Sequence, residues 1–585
     1  MSGRIRALSL SLAVLAGAIG LIVGFGLLSG AGSQVAPPPE SAAPQGGEPP
    51  AGGGVEYRHG LPQGHFYAGV TSEPDDVNPF TSHGTVARRF VLGLTHEGLV
   101  DTDPVTGELR GALAASWQLA ADAMSCTFVL RDGVRFSDGT PVTMADVLFG
   151  WELARAGHVP LGFIGDAFGR VAAAEALDDR HLRVTFRELH YAAVRAVGER
   201  WLVAQREFFV RRVAAISRRL GEPLPAVESA EFATRLGQID RDCGPGTGPF
   251  QLPSDDDGPL TWTRRQELTL TRNPYHWRRE AMPGTWNLAG MRLLFREGTA
   301  VFTSLLEGEI DWLGGWSVDA VYRQRPELAA DYRPLIYDYE TLGVIGIRWN
   351  CRKPAFADVR VRRALGMLID RDAIVSRFAD AVEPAMAFAK PGSPGYPVHT
   401  QPLSLDVVEA RRLLAAAGLD PDHGKPLRVE VLTVRDGGPM DYATSLLVDA
   451  AKGIGVQVDV ERVDFKAYVA GKLRLDWDGL VENLSFRPWG DPYAYVHSKG
   501  MDNDGSWSDP EADRLAAAAR CELEPDRRAE LWRQLHELVY REQPFTFLVH
   551  PRSSILFNRH IENAEPGPRG LWPERWWVAP EHQRR

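Results

Sequence analysis

Apolar and polar residues alternate most clearly in the segment 427–463. Two runs, LRVEVLTV from Leu427 and VQVDVERV from Val456, place apolar residues at alternate positions, which predicts two half-buried strands. Between them, Asp441 to Lys452 spaces its apolar residues as one face of a helix does. A strand, a helix and a second strand predict a parallel pair with a right-handed crossover, the building unit of doubly wound sheets.

Similar patterns occur on both sides of this unit. Asp358 precedes a run with helical spacing and is predicted to cap it, and a second helical run, Leu405 to Ala417, ends before Gly418. Nearer the N-terminus, alternation from Cys126 predicts a strand, and Thr143 is predicted to begin a helix. No repeat of 20–50 residues and no heptad pattern occurs, so we expect a mixed α/β fold.

Length and composition narrow the class of protein. The chain has 585 residues, more than one hydrophobic core commonly serves, so at least two packed units are expected. Its 44% hydrophobic and 24% charged residues are typical of a folded globular protein. The formal net charge of -11 argues against a nucleic-acid partner, because such a partner calls for a basic face.

The N-terminal residues 1–31 are predicted to direct export. Ala7 to Leu28 is apolar apart from serine and glycine, and the next charge is Glu40. The length fits an uncleaved membrane anchor, whereas the small residues at 29–31 fit a cleaved signal peptide, and both alternatives stay open. The Pro/Gly/Ala-rich residues 32–63 are predicted to be a disordered linker. We therefore expect a periplasmic or other extracytoplasmic location, with a tether to the cytoplasmic membrane if the anchor is retained.

The sequence contains no motif that predicts catalysis or metal binding. It has no GxxxxGK[ST], GxGxxG, GxSxG or HExxH string. The loop Gly246 to Phe250 resembles a phosphate loop but lacks a following lysine, so a structural turn is favoured. His497 is a lone histidine, better explained as a surface or core residue than as a ligand. We predict neither an enzyme nor a cofactor or metal site.

The four cysteines form no CxxC or Cys/His cluster, which argues against zinc. In an exported protein they could pair in several ways that the sequence does not distinguish, and free thiols are slightly favoured. The four are Cys126, Cys243, Cys351 and Cys521.

Several strings that follow one another in a fixed order carry a family resemblance. The most diagnostic runs from Thr127 to Val147 and reads TFVLRDGVRFSDGTPVTMADV. Shorter strings surround it, beginning at Glu73 (EPDDVNP), Leu113 (LAASW), Gly246 (GTGPF), Arg272 (RNP), Leu305 (LLEGEID), Phe356 (FADVRVRRAL) and Gln543 (QPF). Together they resemble the extracellular solute-binding proteins of family 5, the peptide and nickel class of ABC transporters, from about Phe66 to the C-terminus.

The resemblance implies an α/β, bilobal periplasmic-binding-protein-like fold of type II with an extra subdomain, its two lobes joined by hinge strands. The expected division is lobe I in residues 64–90, 246–348 and 549–585, the extra subdomain in 91–245, and lobe II in 349–548. The implied function is capture of a peptide or peptide-like solute between the lobes and delivery to a membrane permease, by a monomer. The alternatives are a nickel or other metal chelate, an oligosaccharide, or a membrane-anchored sensor without transport; an enzyme is less favoured.

By the same resemblance, the loop from Glu482 to Tyr493 is expected to line the ligand cleft. Peptide binders of the family commonly carry an aspartate four residues before this loop's proline, where it pairs with the ligand's amino group, and Pro488 occupies that position here. This departure argues against a ligand with a free peptide amino terminus, unless Glu482, Asp491 or Glu73 takes the role of the aspartate.

Other side chains complete the predicted ligand site. Arg487 is a candidate partner for a ligand carboxylate or phosphate, the alternative being an exposed loop arginine. Four tryptophans could form flat cleft walls, with core packing as the alternative for each: Trp316, Trp349, Trp489 and Trp507. Asn350 and Asn483 are the remaining candidates.

Overall fold

The structure is a computed structural model. It describes residues 64–70, 73–162, 164–255, 258–296, 300–314, 318–337, 343–379, 381–419, 427–435, 438–484, 491–567 and 570–583. The described chain forms two compact units. Unit 1 contains Ile336–Ser554, and unit 2 contains the described residues up to Leu335 and from Ile555 onward. Unit 2 is therefore discontinuous in sequence.

Unit 2 is built on a mixed sheet around the strand His65–Val70. This strand runs parallel to Gly290–Phe295 on one side and to Trp312–Gly314 on the other. It is buried along nearly its whole length, as expected of a strand covered on both faces. The order across the sheet is Trp262–Thr263, Glu267–Arg272, Gly290–Phe295, His65–Val70, Trp312–Gly314, Ser553–Asn558 and Tyr332–Tyr337, with Phe250–Gln251 paired to Glu267–Arg272.

A second part of unit 2 is an antiparallel sheet of four strands with its own core. Its order is Ala114–Leu119, Ser125–Leu130, His181–Phe186 and Val171–Ala176. Five helices accompany it in this stretch: Met144–Ala156, Gly165–Gly169, Ala193–Gly198, Arg206–Arg219 and Ala230–Leu236. Aromatic rings such as Phe80, Phe128 and Trp201 fill the core between them.

Shorter elements complete unit 2. The helical segments are the π-helix Ala87–Leu92, then Gly93–Thr95, Arg278–Ala281, Ala300–Leu306, Val318–Gln324, and the 3-10 turns Pro326–Ala329, Pro573–Arg575 and Pro580–His582. The small strand pairs are Val100–Thr102 with Leu109–Gly111, Ser254–Asp255 with Gly258–Pro259, and Ile561–Glu562 with Trp577–Val578.

Unit 1 contains a six-stranded sheet. Its order is Val382–Pro384, Phe545–Pro551, Val344–Trp349, Gly479–Leu484, Arg428–Val434 and Gln457–Val463. The last three strands are mutually parallel, and the others pair antiparallel. The helices are Pro354–Ala357, Val359–Met367, Arg371–Arg377, Val407–Ala416, Pro439–Lys452, Phe465–Arg474, Tyr493–Val496, Pro510–Cys521 and Pro525–Glu542.

The local predictions are confirmed. Arg428–Val434 and Gln457–Val463 form the predicted parallel pair, with the helix Pro439–Lys452 between them. Asp358 caps its helix by accepting a hydrogen bond from the Arg360 backbone N–H. In the antiparallel part, the Thr143 backbone N–H donates to Asp146 Oδ2 at 2.9 Å, closing the start of the predicted helix.

Two further observations bear on the predictions for export and redox state. All four cysteines are free thiols; Cys126 and Cys243 are buried, whereas Cys521 is exposed. Within the described ranges, no helix is long and apolar enough to cross a membrane. The export segment and the linker, residues 1–63, lie outside those ranges, so these two predictions remain predictions.

Candidate functional site

The candidate site in unit 1 is defined by the carboxyl ends of its parallel strands. The carboxyl ends of Arg428–Val434 and Gly479–Leu484 meet at one edge of the sheet, and in open α/β sheets ligands bind outside this edge. Glu482 and Asn483 are among the last residues of the second strand. The loop that follows, 485–490, lies outside the described residues, and so do the predicted site residues Arg487 and Trp489 within it, and Trp316 elsewhere.

Glu482 belongs to a buried cluster of charges. Arg348 lies on the neighbouring strand, diagonally across the pair, and its Nε donates to Glu482 Oε1 at 2.5 Å. Lys472 Nζ lies 3.2 Å from Glu482 Oε2 and 3.0 Å from Asp504 Oδ2. The side chains of Arg348, Lys472 and Glu482 are 5–7% exposed. Burial alone would lower the pKa of Lys472, but the two carboxylates outweigh it and raise that pKa.

Trp349 and Asn350 are held by internal contacts. Trp349 is fully buried, stacks on Phe356 with ring centroids 5.5 Å apart, and donates from Nε1 to Thr546 Oγ1 at 2.9 Å. Asn350 Nδ2 donates to the backbone carbonyls of Leu475 and Trp477. Both side chains therefore have structural roles, and their predicted role in ligand binding remains a prediction.

Asp491 and Trp507 are also engaged inside unit 1. Asp491 is 4% exposed and receives two hydrogen bonds from Arg520, at 2.7 and 2.9 Å. Trp507 packs in the aromatic core that includes Phe388 and Phe545. With Arg348 it borders a cavity of about 10 Å³, room for about one water molecule.

Asn483 differs from these residues. It is half-buried, and its Oδ1 is buried without a hydrogen-bond partner among the described residues. A buried acceptor without a donor is costly, so this amide is suited to a donor that arrives with a ligand. Of the seven predicted site residues that the structure describes, Asn483 best retains capacity for a new hydrogen bond.

Glu73, the predicted site residue in unit 2, is bound to a neighbouring hairpin. Its Oε1 accepts from Trp262 Nε1 at 2.7 Å, and its Oε2 accepts from the Arg265 backbone N–H at 3.2 Å. The Arg264 guanidinium lies 3.4 Å away. The carboxylate thus anchors the segment that follows the strand His65–Val70.

The same segment contains a perturbed carboxyl group. Asp76 accepts hydrogen bonds from the Asn78 backbone N–H at 2.6 Å and from Thr81 Oγ1 at 2.7 Å. Burial, reinforced by the nearby Asp240 and Asp75 charges, outweighs these bonds and raises the pKa of Asp76 to about 6. The carboxyl therefore titrates close to neutral pH.

We expect Asp76→Asn to stabilise the fold at pH 8 and not at pH 4. A folded-state pKa of about 6 lies above the ordinary value of 3.8, so the stability contributed by the carboxyl is complete below pH 3.8 and is lost as the pH rises through 6. Asparagine removes this loss; its Oδ1 can accept from the Asn78 N–H, and its Nδ2 can donate to Thr81 Oγ1 in place of the present bond. The gain at pH 8 should be about 1–3 kcal/mol in the free energy of unfolding, measured by denaturant titration. Asp179→Asn, at an exposed position of the same unit away from Asp76, is the control; an equal gain at both pH values would contradict the assignment.

Sequence reasoning missed an arginine pair in unit 2. Arg88 and Arg89 lie on the π-helix Ala87–Leu92, the first helix after the strand His65–Val70. Arg88 is half-buried, and burial together with the Arg89 charge lowers its pKa to about 10. The signal was present as two adjacent cations inside the apolar run VARRFVLGL.

The described residues offer no metal constellation. They contain no group of three or more His, Cys, Asp or Glu side chains placed to hold a metal ion. His497 stacks on Tyr493 with ring centroids 4.2 Å apart and lies 3.7 Å from Asp513. The loop from Gly246 is a structural turn, as predicted, because Gly248 N–H donates to the Thr95 carbonyl and packs the loop against that backbone.

Comparisons with known proteins show which family the chain resembles. Residues 108–506, more than half of the chain, match the family model of the bacterial extracellular solute-binding proteins, family 5 (middle). The probable deoxycholate-binding periplasmic protein YgiS of Escherichia coli is 25% identical over 516 residues, 83% of this chain and 87% of that protein.

Solved structures show the same fold. The oligopeptide-binding protein AppA from Bacillus subtilis, in complex with a nonapeptide, has a TM-score of 0.71 at 21% identity and covers 88% of this chain and 100% of its own. NikZ from Campylobacter jejuni, in complex with Ni(L-His), has a TM-score of 0.67 at 18% identity, with coverage of 87% and 98%. The predicted resemblance and the α/β, bilobal periplasmic-binding-protein-like fold are confirmed.

Proposed function

We propose that this chain, which belongs to the bacterial extracellular solute-binding proteins of family 5, captures a peptide or peptide-like solute and delivers it to an ABC permease in the cytoplasmic membrane. The observation that carries the proposal is the family match over residues 108–506, which includes parts of both units. The AppA structure, solved with a nonapeptide, supports a peptide as the solute.

The proposed mechanism is a shift between open and closed conformations. A solute that contacts both lobes only when they are closed favours the closed form by its differential affinity. Moving the population from mostly open to mostly closed requires about 5.5 kcal/mol, which several hydrogen bonds and one charge-assisted pair would supply. Binding and release suffice for this role, so we propose no catalytic step.

We further propose that the protein works outside the cytoplasm, as a monomer. Family membership supports this location, and the apolar segment Ala7 to Leu28 would direct export or serve as the tether. A metal chelate or an oligosaccharide is the weaker proposal for the ligand, and an anchored sensor is the weaker proposal for the role.

Native mass spectrometry of the purified full chain tests the ligand class. We expect a retained mass that fragments as a peptide or a peptide derivative. Recovery of a metal complex or a sugar would contradict the proposed ligand. A second experiment distinguishes transport from sensing. If the protein serves transport, cells should take up the recovered solute, and deletion of the gene for this chain should abolish that uptake; a sensor would leave uptake unchanged.

Trp489→Ala is expected to weaken binding of the recovered solute without affecting the fold. Trp489 lies in the loop 485–490, outside the described residues, and we propose that its ring forms part of the ligand site. Loss of one aromatic wall commonly costs 1–2 kcal/mol, or about tenfold in affinity. Calorimetry gives the affinity, and an unchanged thermal unfolding midpoint shows that folding is intact. Equal affinity in the two proteins would remove Trp489 from the site.

A further inference from the structure

We propose that the solute carries an anionic group, and that the tip of the hairpin between the strands Trp262–Thr263 and Glu267–Arg272 binds this group. The hairpin tip is residues 264–266 and contains Arg264 and Arg265. The inference rests on the proposed solute-binding function and specifies the charge of its ligand. Three observations carry it: the register of the sheet in unit 2, the excess of arginines around the tip, and the backbone conformation of Arg265.

The register of the sheet puts the hairpin tip at the carboxyl ends of parallel strands. Val70 and Phe295 are paired in parallel, and each is the last residue of its strand. The Phe295 N–H donates to the Gln266 carbonyl at 2.9 Å, so the tip lies beside these strand ends. Ligands of open α/β sheets bind outside the carboxyl ends of the strands. The hairpin tip occupies this edge in unit 2.

Glu73 holds the hairpin tip at this edge. It lies three residues after Val70 and accepts from Trp262 Nε1 at 2.7 Å and from the Arg265 backbone N–H at 3.2 Å. These bonds join the chain that leaves the strand end to the hairpin. Because an indole and a backbone N–H make them, the guanidinium groups of the tip are not needed to hold it there.

Four arginines surround the hairpin tip. Arg264 and Arg265 belong to the tip and are exposed. Arg296 Nη1 donates to the last backbone carbonyl of the tip at 3.5 Å. The Arg241 guanidinium lies over the ring of Trp262, 4.8 Å from the ring centroid. Positive charge is therefore concentrated at this edge of the sheet.

Two carboxylates compensate part of this charge. Glu73 lies 3.4 Å from Arg264, and Glu309 lies 3.6 Å from Arg296. Among the described residues, the four arginines form ion pairs with these two carboxylates, which leaves an excess of positive charge. A carboxylate or phosphate of the solute would offset this excess and accept two parallel hydrogen bonds from a planar guanidinium.

The backbone conformation of Arg265 is the third observation. Its φ is 58°, in the left-handed region that favours glycine. The Gln266 N–H donates to the Thr263 carbonyl at 3.1 Å and closes the turn around it. A turn of this shape needs no arginine, and a side chain present despite the backbone cost points to a role for that side chain.

The test compares two forms of one equimolar tripeptide library without Asp or Glu, one with a free carboxyl terminus and one with a C-terminal amide. Native mass spectrometry of the full chain measures how much of each form is retained. We expect the free-carboxyl form to be retained at least tenfold more than the amide, because amidation removes the only anionic group. Equal retention of the two forms would overturn the inference.

A paired variant connects this preference to the hairpin tip. Arg264→Gln with Arg265→Gln should abolish the preference for the free-carboxyl form. The matched control is Arg218→Gln with Arg219→Gln, at two adjacent exposed arginines of the same unit, which removes the same charge and should leave the preference unchanged. A preference that survives the change at the tip would contradict the proposed site.

Arg265→Gly separates ligand binding from folding. Glycine suits the left-handed conformation, so the thermal unfolding midpoint should be unchanged or higher. Retention of the free-carboxyl form should nevertheless fall at least threefold, because one of the two guanidinium groups is gone. Full retention by this variant would exclude Arg265 from the site.

Failure of both library forms would overturn the peptide proposal and not this inference. The ligand carried from the expression host then decides: an anionic ligand that is lost in the paired variant supports the inference, and the absence of an anionic ligand overturns it.

Discussion

Replacing Glu574 by alanine is expected to lower the free energy of unfolding of unit 2 by about 3–5 kcal/mol. Glu574 is 1% exposed and accepts hydrogen bonds from Arg110 Nη1 at 3.2 Å and Nη2 at 2.6 Å. Arg278, also buried, lies 3.7 Å from the same carboxylate. Removing the carboxylate leaves the guanidinium groups of Arg110 and Arg278 with one negative charge fewer to neutralise them, and an uncompensated buried charge is among the costliest defects a fold can carry.

The remaining acids of this cluster limit the loss. Asp101 contacts both arginines, at 3.0 Å from Arg110 and 3.3 Å from Arg278, so some neutralisation persists. Glu574→Gln retains the volume and one acceptor, and we expect it to cost less than the alanine variant. Glu581→Ala, at an exposed position of the same C-terminal segment, is the matched control and should change the free energy by less than about 0.5 kcal/mol. Guanidinium titration followed by tryptophan fluorescence gives these values; equal stability of the Glu574 and Glu581 variants would contradict the assignment.

Glu482→Ala is expected to destabilise unit 1 to a similar degree, by about 3–5 kcal/mol. Arg348 loses the carboxylate to which its Nε donates at 2.5 Å. Of the two carboxylates beside Lys472, only that of Asp504 remains. One Arg348 nitrogen, Nη2, is already buried without a hydrogen-bond partner among the described residues, so the side chain has little means to compensate.

A double variant separates the charge effect from the packing effect. Arg348→Met with Glu482→Leu removes the pair together and leaves Lys472 with Asp504, so we expect it to recover most of the stability lost in Glu482→Ala. The control is Glu461→Ala, which breaks an exposed pair with Arg474 at 3.3 Å and should cost under about 1 kcal/mol. Chemical unfolding measures all three. A double variant as unstable as Glu482→Ala would show that packing, and not the unpaired cations, causes the loss.

The helices and strands that could be predicted from the sequence are those determined by residues close to one another in the chain. The helix after Asp358 depends on a cap within two residues, and the parallel pair around Pro439–Lys452 depends on an alternation that can be read within one segment. The overall fold was predicted from the order of the strings that resemble family 5, because no local pattern of apolar and polar residues determines it.

The charge clusters were beyond prediction because their partners are distant in sequence. Arg348 and Glu482 are 134 positions apart, and Arg110 and Glu574 are 464 apart. Their contact depends on strand register and tertiary packing, which side-chain type alone does not reveal. For the same reason Glu482 and Asp491 look like free carboxylates in the sequence, although in the structure each binds an internal cation.

The discontinuity of unit 2 determines when the protein can finish folding. The strand His65–Val70 precedes the other described strands of its sheet in the chain, but that sheet also needs Ser553–Asn558, and Arg110 needs Glu574. Ribosomes release the chain from its N-terminus, so unit 1 is synthesised in full while unit 2 still lacks its last strand. Contacts across such long separations also form slowly. The nascent chain therefore remains incompletely folded until Glu574 has been made, and a stop codon anywhere before Glu574 would yield a protein that cannot complete unit 2.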